Sequence, residues 1–222
     1  MNSPVVQLLV LAAIAIFLIL RLRSVLGTRE GFEKPPVAIP PEGPARRGPR
    51  PELELVEGRP DRDITDHVPE DSDAARALGG MKAADPAFNV REFLQGARAA
   101  YEMILMAFER GELAPVKPFL SPEVFEAFAE VVEERQRKGW KVEATFVGIS
   151  ELSLRDATFD SATREAELSV RFVGELTSVV RDAGGQVVEG SPTAIRRQKD
   201  VWTFARAMAS QDPNWILVAT SE

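Results

Sequence analysis

The hydrophobic pattern changes character several times along the chain, and each change predicts a different kind of segment. From Val5 to Leu20 every residue except Gln7 is apolar, and Leu22 extends the run past Arg21. Eighteen helical residues rise about 27 Å, just enough to cross a bilayer core. A run apolar on every face with Arg-Leu-Arg behind it carries neither the basic leader nor the small-residue cleavage site of a secretory signal. It predicts a retained single-pass transmembrane anchor over residues 4–22. From 23 to 85 no period is visible, and nine of the sixteen prolines fall between Pro35 and Pro69. Such a stretch cannot bury enough apolar surface to offset its ordering entropy, so a disordered linker is predicted there.

A helical period begins at Asn89. Phe93, Leu94, Ala97, Tyr101, Ile104, Leu105 and Phe108 recur at three- and four-residue spacing, between an Asn89/Glu92 capping pattern and Gly111. A second helix starts at Ser121-Pro122-Glu123, carries Val124, Phe125, Phe128, Val131 and Val132 on one stripe, and ends by Gly139. After Gly139 the period becomes two. Trp140, Val142, Ala144 and Phe146 alternate with polar residues, as do Ala166, Leu168, Val170, Phe172, Leu176 and Val180. Asp182-Ala183-Gly184-Gly185 predicts a hairpin turn, and further strands are predicted near Val187, over 195–207 and over 215–220. Helices first and strands afterwards predict an α+β domain over 86–222, with the N-terminal helices packed on one face of an antiparallel sheet.

Charge adds orientation. Arg21, Arg23, Arg29 and Lys34 follow the apolar run while no cationic side chain precedes it. The positive-inside rule then keeps the bulk of the protein cytoplasmic. Residues 21–50 carry seven cations against three anions, and residues 51–90 four against ten. Arg46, Arg47 and Arg50, with Arg21, Arg23 and Arg29, suit anionic headgroups at the membrane surface. The net charge of −7 gives no reason to expect a nucleic-acid partner.

Candidate chemistry is sparse. Cysteine is absent, and the single histidine, His67, falls in the predicted linker, where no scaffold would hold a ligand or catalyst in place. No metal or cofactor motif is present. Asp156, Asp160 and Asp200 carry no spacing that marks a catalytic pair. The aromatic content is more informative: Phe93, Tyr101, Phe125, Phe128, Phe146, Phe172, Trp202, Phe204 and Trp215, with Leu105, could converge between helices and sheet. They form either an ordinary core or an apolar pocket open to a partner segment or an acyl chain. In a regular strand Asp200, Trp202, Phe204 and Arg206 would share one face.

The stretch Phe93-Leu94-Gln95-Gly96-Ala97-Arg98-Ala99-Ala100-Tyr101-Glu102-Met103-Ile104 and the following Phe108 to Leu113 resemble the opening of the Tim44-like domain. Leu120 to Val124, Asp200 to Arg206 and Asp212 to Thr220 resemble later parts of it, in order. The resemblance covers residues 90–220. It implies a cone-shaped fold of the nuclear-transport-factor-two-like or cystatin-like kind, with a curved antiparallel sheet around an apolar pocket. Mitochondrial members of the family are scaffolds at the matrix side of the inner membrane, bind cardiolipin-containing membrane and tether a heat-shock chaperone to the import channel. With an anchor predicted ahead of the domain, where mitochondrial members carry a long chaperone-recruiting region, this chain is expected to be similar to the shorter bacterial relatives. The resemblance thus implies a non-enzymatic adaptor on a bacterial inner membrane, binding an unidentified protein at the membrane surface. A lipid-binding or lipid-transfer module, and an enzyme hidden in the pocket, are the alternatives.

Overall fold

The structure, a computed structural model, describes residues 61–221. The expected anchor over 4–22 and the arginines at 21, 23, 29, 46, 47 and 50 lie outside the described residues. Among the described residues no helix is long and apolar enough to cross a membrane.

Four helices precede four strands: α1 Arg62–Thr65, α2 Asp73–Ala84, α3 Val90–Arg110 and α4 Pro122–Arg137, then β1 Lys141–Phe159, β2 Glu165–Arg181, β3 Val187–Ala207 and β4 Ile216–Ser221. A short 3-10 segment, Ala114–Phe119, joins α3 to α4. The predicted α+β architecture is present, with helices on a four-stranded antiparallel sheet in the order β1-β2-β3-β4. Both long helices begin and end as their caps dictate. Asn89 accepts a hydrogen bond from the Glu92 amide at 3.0 Å, and Gly111 closes α3 at φ 74°. Ser121 caps α4 by accepting from the Val124 amide, and Pro122 occupies its first turn.

The linker expected over 23–85 does not extend through residue 85. Asp61 caps α1 and Ser72 caps α2, each through its side-chain oxygen. Ile64, Val68, Ala74, Ala75, Leu78 and Met81 are buried, Leu78 and Met81 completely. These positions repeat at helical spacing, but the prolines and acids before them obscure the pattern. Lys82 bridges the carboxylates of Asp61 and Asp63 at 2.6 and 2.8 Å. Asp63 in turn accepts hydrogen bonds from the amides of Val90 and Arg91, at 2.8 and 3.1 Å. Two of the orphan donors at the start of α3 are thereby satisfied by a residue 27 and 28 positions upstream. Burial alone would raise the Asp63 pKa, but Lys82 and the two amides outweigh it and hold the carboxyl below the usual range.

β1 runs much further than the alternation around Phe146 indicates. Its register against β2 shifts after Phe146, Ile149 and Leu154, so Val147, Ser150 and Arg155 are each an extra residue. The side chains packed on the core are therefore Phe146, Ile149, Leu152, Leu154, Ala157 and Phe159, with the parity reset at every bulge. β2 and β3 meet at the expected turn, with Gly185 at φ 81°. The strands expected near Val187 and over 195–207 form one strand, β3. Leu176 opposes Arg196 while Ser178 opposes Ser191, so residues 192–195 bulge out of it.

Candidate functional site

The site is built on α3 and β3. Asp200, Trp202 and Phe204 alternate inward on β3 and are 7%, 3% and 2% exposed, so the strand is regular where it matters. The bulge in this region falls on β4, since Thr203 opposes Ala219 and Phe204 opposes Leu217. Tyr101 of α3 lies across this face. It stacks on Phe172 at 4.4 Å between ring centroids and meets Trp202 at 4.7 Å. Its hydroxyl donates to Asp200 Oδ2 at 2.5 Å. Burial, then this bond and the carboxylate charge, push the Tyr101 phenol well above its ordinary pKa. Gly174 on β2 makes room for the ring, because a Cβ there would sit 2.5 Å from the Tyr101 oxygen.

Two concavities lie on either side of this plug. The larger, about 560 Å³, is walled by Phe88, Phe93 and Met103 of the α3 side and by Phe204, Trp215 and Phe119 opposite. Phe88 and Phe93 occupy the positions flanking a helix start that form a hydrophobic staple, and both rings meet Trp215, at 5.9 and 4.8 Å. Ala97, Ala100 and Gly96 keep the helix side of the cleft shallow-walled. Arg206 and Asp85 form an ion pair at 2.7 Å within it, each side chain 13% exposed. Arg206 Nε is buried without a hydrogen-bond partner. Glu92, exposed, is the remaining charged residue of the lining. The smaller concavity, about 260 Å³, is lined by Leu105, Phe108, Phe128, Trp202, Thr220 and Ser221 around Gln198 and Asp200.

Of the ten residues expected to form one apolar pocket, Phe93, Phe204 and Trp215 line the larger cleft, and Leu105, Phe128 and Trp202 the smaller. Tyr101 and Phe172 are fully buried core between them, and Phe125 and Phe146 pack partly buried against that core. Sequence reasoning missed Phe88, Phe119, Met103 and the Asp85–Arg206 pair. The staple spacing of Phe88 and Phe93 was the available signal. Among the described residues no cluster of three or more His, Cys, Asp or Glu is placed to hold a metal. The Asp156 carboxylate accepts from the Ala157 amide within β1, and that of Asp160 from the amides of Ala162 and Thr163 in the turn after it.

The family model of the Tim44-like domain matches residues 74–222, from the second residue of α2 through the last strand. The chain belongs to the Tim44-like domain family. The human mitochondrial import inner membrane translocase subunit TIM44 is 25% identical over 143 residues, which are 64% of this chain and 31% of that protein. The mouse protein of the same name is 23% identical over the same coverage. The chain thus spans about a third of the length of the curated relatives it matches. A crystal structure of the intermembrane space region of the chloroplast protein ARC6 aligns with 61% of this chain and 97% of its own, at 14% identity and a TM-score of 0.44, too distant to bear on the fold. Within the Tim44-like domain the match takes in α3, β3 and β4, and hence every residue of both concavities.

Proposed function

We propose that this protein is a non-enzymatic adaptor that docks an extended segment of a protein partner in the cleft between the start of α3 and the start of β4. The feature that carries the reading is the cleft itself: a 560 Å³ aromatic-walled hollow whose cation and one of its anions neutralise each other. An apolar cleft of this size suits a short segment of a partner rather than a flat protein surface. The unpaired Nε of Arg206 favours a peptide over an acyl chain, since a peptide carbonyl offers an acceptor there and a hydrocarbon does not.

The relatives named for mitochondrial protein import lend the adaptor reading support from the family side. In this proposal the long bulged strands curve the sheet into the cone of nuclear-transport-factor-two-like domains. Residues 4–22 anchor the chain in a membrane, the bacterial inner membrane in our reading, with the folded domain on the cytoplasmic side. The basic residues that follow lie against anionic headgroups. The test compares the full-length wild type and full-length Ala100→Trp, which fills the cleft, in membranes with a released form lacking residues 1–24. Loss of the co-purifying partner in Ala100→Trp, with retention in the released form, is the expected result. Equal capture by Ala100→Trp overturns the cleft as docking site, and recovery of bound lipid instead of a protein overturns the choice of ligand.

A further inference from the structure

The smaller concavity contains a buried carboxylate that pairs with no cation among the described residues. Asp200 is 7% exposed and forms no ion pair among the described residues. Its partners are both neutral: the Tyr101 hydroxyl at 2.5 Å and the Gln198 amide, which donates to Oδ1 at 3.1 Å. Arg196 hydrogen-bonds the other end of Gln198, at 3.3 Å, and pairs with Glu109 at 3.9 Å. A buried carboxylate without a countercharge carries a desolvation cost that the hydrogen bonds from Tyr101 and Gln198 offset in part, and a cation supplied from outside would offset it further.

The surroundings specify which cation. Phe108, Phe128 and Trp202 line the hollow, and aromatic faces attract a desolvated cation. Phe108 already takes the Arg135 guanidinium over its ring, at 4.6 Å. Leu105 and the ring of Phe128 offer an apolar wall for an alkyl stem. Thr220 and Ser221 add hydroxyls at the rim, and Asp200 retains about two lone-pair positions after Tyr101 and Gln198 are served. A primary ammonium on an unbranched stem, with its three N–H donors, matches this set. A planar guanidinium fits a single partly filled carboxylate less well.

We infer that the hollow around Asp200 is a binding site for a primary alkylammonium group, and that its occupant is a lysine side chain of a protein partner. A phosphoethanolamine headgroup carries the same ammonium, but would bring its phosphate into the hollow that holds the Asp200 carboxylate. The inference does not rest on the cleft at the start of α3. It uses other residues, and either site can fail without the other.

The test is saturation-transfer NMR on the full chain in nanodiscs, with n-butylammonium chloride as probe and n-butanol as its uncharged counterpart. Saturable binding of n-butylammonium, about tenfold or more tighter than n-butanol, is expected, and Nα-acetyl-lysine amide should displace it while phosphoethanolamine does not. Asp200→Asn keeps an acceptor for Tyr101 and should lose the preference for the cation. Phe128→Leu, at a partly exposed wall, should weaken n-butylammonium several-fold with the melting temperature held. Equal binding of n-butanol, or undiminished n-butylammonium binding by Asp200→Asn, overturns the site. Displacement by phosphoethanolamine as strong as by the lysine derivative overturns the assignment to a protein lysine.

Discussion

The Tyr101 hydroxyl donates to the buried carboxylate of Asp200 at 2.5 Å, joining α3 to β3 across 99 residues of sequence. Tyr101 is the single tyrosine of the chain, which makes this contact open to direct spectroscopic observation. Burial and the adjacent carboxylate both favour the neutral phenol, so its folded pKa is raised above the unfolded value of about 10. The contribution of this group to stability is therefore complete below about pH 10. It is lost as pH climbs further, because the unfolded chain then sheds a proton that the folded chain keeps. Titration of tyrosinate absorbance near 295 nm should show no step near pH 10 in the folded protein and a normal step in denaturant. A step at the ordinary position under native conditions would contradict the contact.

Gly174 should tolerate no side chain. A Cβ there meets three atoms of Tyr101 at 2.5 to 3.1 Å, and the ring is held by Phe172 and Trp202. Gly174→Ala should cost about 1–3 kcal/mol, the usual range for overpacking, read as a fall in the urea midpoint at unchanged slope. Unchanged stability would mean that Tyr101 does not lie across the strand.

Asp63 ties the N-terminal helices to α3, so Asp63→Ala should destabilise the domain by about 1–2 kcal/mol, as removal of a helix cap does. The pH dependence follows from its lowered folded pKa. The stabilisation is present above the unfolded value of about 3.9 and disappears as pH falls through the folded value. Asp63→Asn should accordingly lose more stability at pH 6 than at pH 3, measured by denaturant melts. A pH-independent difference would show that the charge plays no part.

The sequence displays the fold where one rule operates without interruption. The caps of α3 and α4 and the stripe of α3 follow from Asn89, Gly111, Ser121 and the apolar spacing alone, whereas on α4 Val131, expected on the stripe, is exposed while Val124 and Val132 are buried. Three bulges hid the second half of β1, since each reverses which parity faces the core, and nothing in single residues marks Val147, Ser150 or Arg155 as extra. α1 and α2 escaped notice for a different reason: alanines supply much of the buried face of α2 and only Leu78 and Met81 are large and fully buried, so no bulky apolar stripe stands out beside a Pro-rich stretch. The aromatic residues were visible, but not their division into plug and walls. That division depends on the sheet register, which sets Trp202 against Val170 and Phe204 against Leu168. The Asp85–Arg206 pair spans 121 residues and has no local signature.

That ion pair should behave as a unit. Asp85→Leu or Arg206→Leu alone leaves one charge in a largely buried setting and should cost about 2–4 kcal/mol, while the double variant should cost clearly less than the sum. Additive losses in a double-mutant cycle would show the two side chains to be independent.

The cleft can be interrogated at Met103, which lines it and is 40% exposed, against Val187, an apolar residue 51% exposed outside it. A photo-crosslinking amino acid is placed at each position in the full-length protein in its native membrane. A discrete protein adduct from Met103, absent from Val187 and suppressed by Ala100→Trp, is what a peptide-docking cleft predicts. Adducts of equal yield from both positions, or none at Met103, would contradict it.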